Sequence, residues 1–146
     1  MIPQIDLIVF DLDGTLADSL PDITNAANHA CRSLGLPEHP VIAVKHMIGG
    51  GERKLVERAL GPDRQNLMEE AFKLYLDYYR HHVGDFTQLY PGVPETLSQL
   101  SGKKLAVLSN KRQSLTEAVL KVTGLSSFFA AIRGGAELIQ RIDSAR

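Results

Sequence analysis

The run Ile5-Asp6-Leu7-Ile8-Val9-Phe10 passes directly into Asp11-Leu12-Asp13-Gly14-Thr15, and this junction narrows the possible folds more than any other stretch of the chain. A short β-branched and aromatic run is the pattern of a strand covered on both faces in a parallel sheet. Side chains two apart on extended backbone point the same way, so Asp11 and Asp13 are expected to face one cavity before Gly14 lets the chain turn. Thr15 adds a hydroxyl beside them. Two carboxylates this close repel unless a cation joins them or one keeps its proton, and a hard divalent ion such as Mg²⁺ suits oxygen donors. A strand ending in an ordinary polar turn is the plain alternative. The order Asp-x-Asp-Gly-Thr, with Asp18 and Ser19 following, favours chemistry over that alternative.

Helices are predicted next. Ser19, with Asp22 three residues on and Pro21 in the first turn, marks a helix start. Ile23, Ala26, Ala27, Ala30 and Leu34 then form one apolar face that Gly35 and Pro37 end. Cys31 is read as a small buried hydrophobe. A second short helix spans residues 40 to 48, and Gly49-Gly50-Gly51 separates it from a third that starts at Glu52. The triple glycine is read as a hinge or close-approach loop; a nucleotide-cradling loop would need a preceding strand and a Gly-Lys-Ser/Thr ending. A long helix is expected from about residue 64 to 82, with Leu67, Ala71, Tyr75, Tyr78 and Tyr79 on one side. His81 and His82 are read as solvated helix-end residues. Arg53 and Lys54 are read first as a solvated helix face and second as contacts for a substrate carboxylate.

Pro91 to Glu95 opens a further helix carrying Val93, Leu97 and Leu100 inward. Lys104-Leu105-Ala106-Val107-Leu108 then repeats the opening pattern, an apolar run closing in the polar residues Ser109 and Asn110. In an open parallel sheet, ligands sit beyond the carboxyl ends of the strands, so Asp11, Asp13, Ser109 and Asn110 are expected to converge. Lys111 is expected to help position an anion. A helix over about 113 to 123, and a third strand or its approach over 128 to 132, complete the expected elements.

The segment closing in Asp11-Leu12-Asp13-Gly14-Thr15-Leu16 resembles the first motif of haloacid dehalogenase superfamily phosphatases, and Ser109-Asn110-Lys111 resembles the second motif of their phosphoglycolate phosphatase group. The resemblance implies an α/β, Rossmann-like parallel sheet core, residues 1–17 and 86–146, interrupted by an α-helical cap at 18–85. It implies that Asp11 attacks phosphorus to form an aspartyl phosphate, that Asp13 serves as general acid and then base, and that Asp11 and Asp13 hold Mg²⁺. Gly14, Thr15, Ser109, Asn110 and Lys111 are the implied phosphate contacts. The implied substrate is a small phosphorylated metabolite such as 2-phosphoglycolate. The resemblance covers about the first 135 residues. After Ile132-Arg133-Gly134-Gly135 the family's third-motif lysine and fourth-motif acids have no counterpart, and residues 136 to 146 read as a short amphipathic helix in which Asp143 is not counted as a ligand. The expectation is a core incomplete at its C-terminal side, with residues 5 to 10 as an apolar edge open to self-association.

A charged fraction of 23% and a net charge of -1 argue against nucleic acid or an acidic membrane surface as partner. One cysteine cannot form an internal disulfide, so a reducing compartment is expected. The opening residues lack a basic leader and a small-residue cleavage site, which makes the cytoplasm the expected location. Two alternatives stay open: a non-catalytic binding module, and a phosphosugar mutase on the same scaffold. Asp13 argues against dehalogenation, which has no use for an acid that protonates an oxygen leaving group.

Overall fold

The computed structural model describes residues 4–135. The predicted helix over residues 136 to 146, and Asp143 within it, lie outside the described residues. The chain divides into two compact units, one over Ser19–Thr87 and the other formed by the segments on either side of it.

The flanking segments build a three-stranded parallel sheet in the order β1-β4-β5, from β1 (Leu7–Phe10), β4 (Lys104–Ser109) and β5 (Ala131–Gly134). Its register pairs Ile8 with Leu105 and Phe10 with Val107, and Val107 with Ile132. These residues share one face. Leu105 and Val107 are buried there, together with Leu97 of α5 (Val93–Gln99) and Leu115, Val119 and Leu120 of α6 (Gln113–Val122). The rings of Phe10 and Phe129 meet edge to face, with centroids 6.2 Å apart.

The opposite face corrects the expectation that β1 is covered on both sides. Leu7 and Val9 are 55% and 52% exposed, and Leu108 on the neighbouring strand is 46% exposed. Among the described residues β1 has one neighbour, β4, and no element covers that face. The apolar run recorded a strand's composition; it did not record how many layers enclose it.

The third strand runs over Ala131–Gly134, approached through a short 3₁₀ turn at Ser126–Phe128. A second, two-stranded sheet was not predicted at all: β2 (Ala17–Asp18) runs antiparallel to β3 (Gln88–Leu89), pairing Ala17 with Leu89 and Asp18 with Gln88. Two-residue strands carry too little pattern to be read from sequence. Their pairing sets the exit and the re-entry of the flanking segments side by side.

The unit over Ser19–Thr87 contains four α-helices: α1 (Leu20–Ser33), α2 (Val41–Met47), α3 (Glu52–Leu60) and α4 (Met68–His82). α1 and α4 are its main packed pair. α1 buries mainly small residues, Ala26, Ala27, Ala30 and Cys31, while α4 buries the rings of Tyr75 and Tyr79. Large against small is how facing helices fill space without voids. The predicted long helix is corrected at its start: Pro62–Leu67 is a 3₁₀ turn in which Arg64 leaves helical geometry, and the α-helix begins at Met68. Pro62 suits a first turn and has no amide hydrogen to continue an earlier one.

Ser19 precedes α1 but makes no side-chain capping bond, which corrects the predicted capping pair with Asp22. The Asp22 carboxylate instead accepts hydrogen bonds from the backbone N–H groups of Phe86 and Thr87 at 3.0 and 2.9 Å, and from the Thr87 hydroxyl at 2.6 Å. The start of this unit is thereby tied to its end, 65 residues later. The triple glycine has backbone φ of +129°, +84° and +93°, a region that side chains disfavour. Arg58 donates to the carbonyls of Met47 and Gly49 at 2.8 and 2.7 Å, so the loop turns carbonyl groups toward a cation. A helix, α2, precedes it where a nucleotide loop would have a strand.

Candidate active site

Asp11 follows the last residue of β1, and Ser109 is the last residue of β4. Because β1 and β4 are parallel neighbours, both lie at the carboxyl end of the same sheet. Asp11 is exposed, and one of its oxygens accepts the N–H of Leu12 at 2.8 Å.

The loop after it is held by its own backbone. The carbonyl of Leu12 accepts N–H groups from Thr15, Leu16 and Ala17 at 3.1, 2.9 and 3.2 Å, and the N–H of Gly14 donates to Ala17 at 2.9 Å. Gly14 has φ of +79°, which explains why glycine ends the acidic motif. Leu12, Leu16 and Ala17 are almost fully buried and anchor this turn from below, leaving Gly14 and Thr15 exposed at its tip.

Lys111 is where the structure adds most to the sequence reading. Its ammonium lies 3.4 Å from the Asp13 carboxylate, with side chains 3% and 17% exposed. A lysine this buried needs a compensating anion, and Asp13 supplies one. The turn that aims it begins at Ser109, itself buried, whose hydroxyl oxygen accepts the N–H of Lys111 at 3.1 Å. A hydroxyl that accepts still has its own hydrogen to donate. Asn110 between them is exposed.

Of the residues singled out from sequence, Asp13, Ser109 and Lys111 are joined by these contacts. Asp11, Gly14, Thr15 and Asn110 are exposed around them. Asp13 is engaged by Lys111 at 3.4 Å. An open pocket of about 160 Å³ in this region is lined by Phe10, Thr15, Leu16, Pro91, Gly92, Val93, Thr96 and Leu97.

The donor set at the strand ends fits a small hard cation. Mg²⁺ commonly takes one or two carboxylates and fills the rest of its shell with water and phosphate oxygen, so Asp11 and Asp13 are the residues that would hold it. No group of three or more His, Cys, Asp or Glu side chains suited to a metal occurs among the described residues.

Within the helical unit, the candidate substrate contacts are otherwise engaged. Arg53 pairs with Glu69 and lies over the Phe72 ring at 5.4 Å from its centroid, while Lys54 pairs with Glu57 at 3.2 Å. This matches a solvated helix face. Cys31 is buried, and burial pushes its thiol up from the ordinary value, so it is a packing residue and not a nucleophile. His82 stacks on Tyr78 and meets the Asp85 carboxylate at 2.8 Å, in keeping with a helix-end role.

Residues 8–141 match the family model described as haloacid dehalogenase-like hydrolase. The chain belongs to that family. Among curated hydrolases of this kind it is 39% identical to the phosphoglycolate phosphatase of Neisseria meningitidis, over 96% of this chain and 63% of that protein. It is 40% identical to the phosphoglycolate phosphatase of Aquifex aeolicus, over 88% of this chain and 60% of that protein. The chain thus spans about three fifths of the length of these two relatives. A crystal structure from Haemophilus somnus, described as a predicted phosphoglycolate phosphatase, superposes with a TM-score of 0.85 at 32% identity, covering 93% of this chain and 65% of that one. The α/β fold of this haloacid dehalogenase-like chain, with its parallel sheet, agrees with that neighbour. No described helix is long and apolar enough to cross a membrane.

Proposed function

We propose that this chain carries the phosphate-handling centre of a Mg²⁺-dependent phosphomonoester hydrolase whose substrate is a small phosphorylated acid such as 2-phosphoglycolate. The observation that carries the reading is the buried Lys111 ammonium 3.4 Å from Asp13, set beside Asp11 at the carboxyl ends of adjacent parallel strands. Family membership and the names of the relatives support it.

In this reading Asp11 attacks phosphorus, the bond from phosphorus to the ester oxygen breaks, and an aspartyl phosphate forms on Asp11. Asp13 takes up a proton as the anionic phosphate binds beside it and gives that proton to the departing alkoxide. It then takes one from the water that cleaves the aspartyl phosphate, releasing phosphate and restoring Asp11. Gly14 and Thr15 at the loop tip, with Ser109 and Asn110 across the strand ends, hold phosphoryl oxygens. Lys111 fixes the Asp13 carboxylate and brings positive charge to a site that must take a dianion. Mg²⁺ bound by Asp11 and Asp13 would supply further positive charge to screen the phosphate from the attacking carboxylate. The helical insertion is assigned the lid function of excluding water. The cytoplasm is the proposed location, and a second copy is the proposed occupant of the apolar β1 edge, since a strand edge is self-complementary when run antiparallel.

The test is hydrolysis of 2-phosphoglycolate by this chain with Mg²⁺, compared with Asp11→Asn. The variant should lose at least about a thousandfold in rate. Full activity in the variant removes Asp11 from its role. Phosphate binding without turnover in the unaltered chain supports the binding-module reading instead.

A further inference from the structure

The carboxyl end of β5 closes on the turn that carries Lys111, with backbone packed directly against backbone at Gly134 and Gly135. A Cβ placed on Gly134 would lie 2.4 Å from the Gln113 nitrogen and 2.6 Å from the Lys111 carbonyl oxygen. One placed on Gly135 would lie 2.8 Å from the Ser109 carbonyl oxygen and 2.9 Å from the Asn110 Cα. Real side chains do not tolerate such approaches to backbone, so the contact exists only because both positions are glycine.

Hydrogen bonds run along the same seam. The N–H of Gly135 donates to the Lys111 carbonyl at 3.3 Å, and the hydroxyl of the fully buried Thr116 donates to that carbonyl at 3.1 Å. Gln113 spans it with its side chain: its amide nitrogen donates to the Ile132 carbonyl at 3.0 Å, and its amide oxygen accepts the N–H of Gly134. Lys111 is therefore gripped at its N–H by Ser109 and at its carbonyl by Gly135, with the Thr116 hydroxyl shared between that carbonyl and the Arg112 carbonyl at 3.0 Å. A buried side chain reaching an anion 3.4 Å away depends on where this backbone is set.

We propose that Gly134, Gly135 and Gln113 form a backbone clamp that positions Lys111 against Asp13, making them positioning residues for the site. The geometry of the clamp stands without the phosphatase reading; only its catalytic consequence rests on that reading. Opening the clamp lets the 109–111 turn drift and exposes the Lys111 amine without unfolding the sheet.

Trace acylation of the intact chain with acetic anhydride, followed by peptide mass spectrometry, reads the amine directly. Lys103 and Lys104, both exposed, serve as internal references. Lys111 is expected to be protected in the unaltered chain. In Gly135→Ala and Gln113→Leu its labelling relative to the references should rise about tenfold, as expected for a local opening. Gln113→Glu keeps an oxygen for the Gly134 N–H and should retain more protection than Gln113→Leu. Gly102→Ala, where an added Cβ meets nothing within 4 Å, should leave labelling unchanged. Continued protection of Lys111 in both Gly135→Ala and Gln113→Leu overturns the clamp. So does a uniform rise at every lysine in Gln113→Leu, which reports general unfolding. If the unaltered chain hydrolyses 2-phosphoglycolate, Gly135→Ala should lower kcat about a hundredfold, the cost of a misplaced catalytic group. Selective exposure of Lys111 with no hydrolysis by any variant supports the clamp and removes the phosphatase reading.

Discussion

Lys111 shows how much one side chain's direction decides. Its position directly after Ser109 and Asn110 was enough to mark it as an anion contact, and the resemblance to a known motif was carried by those same residues. That its ammonium turns onto Asp13 was not readable, because the partner sits on a different strand end and no local spacing joins them. Replacing Lys111 with methionine keeps the bulk of the stem and leaves Asp13 without its cation. Chemical denaturation should show a loss of about 2 kcal/mol, below the usual cost of breaking a fully buried pair because Asp13 keeps some contact with water. The same variant should hydrolyse 2-phosphoglycolate more slowly. Asp11 could be placed for the opposite reason: its position follows from where its strand stops, and the strand's composition marks that stop.

Among elements, the longer ones announced themselves and the short ones did not. α1, α3, α5, α6 and β4 follow from apolar periodicity closed by Gly, Pro or polar residues. β2 and β3, two residues each, and the 3₁₀ turn at Pro62 have no period to read. Asp22 is the instructive error. Placed three residues after a serine, it matched a capping pair, yet tertiary structure gave its carboxylate three better donors at Phe86 and Thr87. Asp22→Ala should therefore cost far more than a lost cap. Three hydrogen bonds to one buried charge point to about 3 kcal/mol, measured by urea titration of helical circular dichroism. A loss near 1 kcal/mol, the ordinary capping value, would return Asp22 to the role first read from sequence.

For the molecule as a whole, the sheet leaves an apolar surface of Ile5, Leu7, Val9 and Leu108 facing outward among the described residues. Contiguous exposure of this kind favours association. Val9→Lys should lower the apparent mass in concentrated solution, followed by light scattering after size exclusion, while changing stability by no more than about 0.5 kcal/mol. An unchanged mass would argue that this surface does not recruit a second copy. The interleaved order of the two units also bears on how the protein is made. β1 is translated before the whole of Ser19–Thr87, and β4, the strand beside it, only after it. The helical unit, with both ends fastened by Asp22, can settle during synthesis. β1 must meanwhile wait, greasy and without its mate, which makes the newborn polypeptide a natural client for a chaperone.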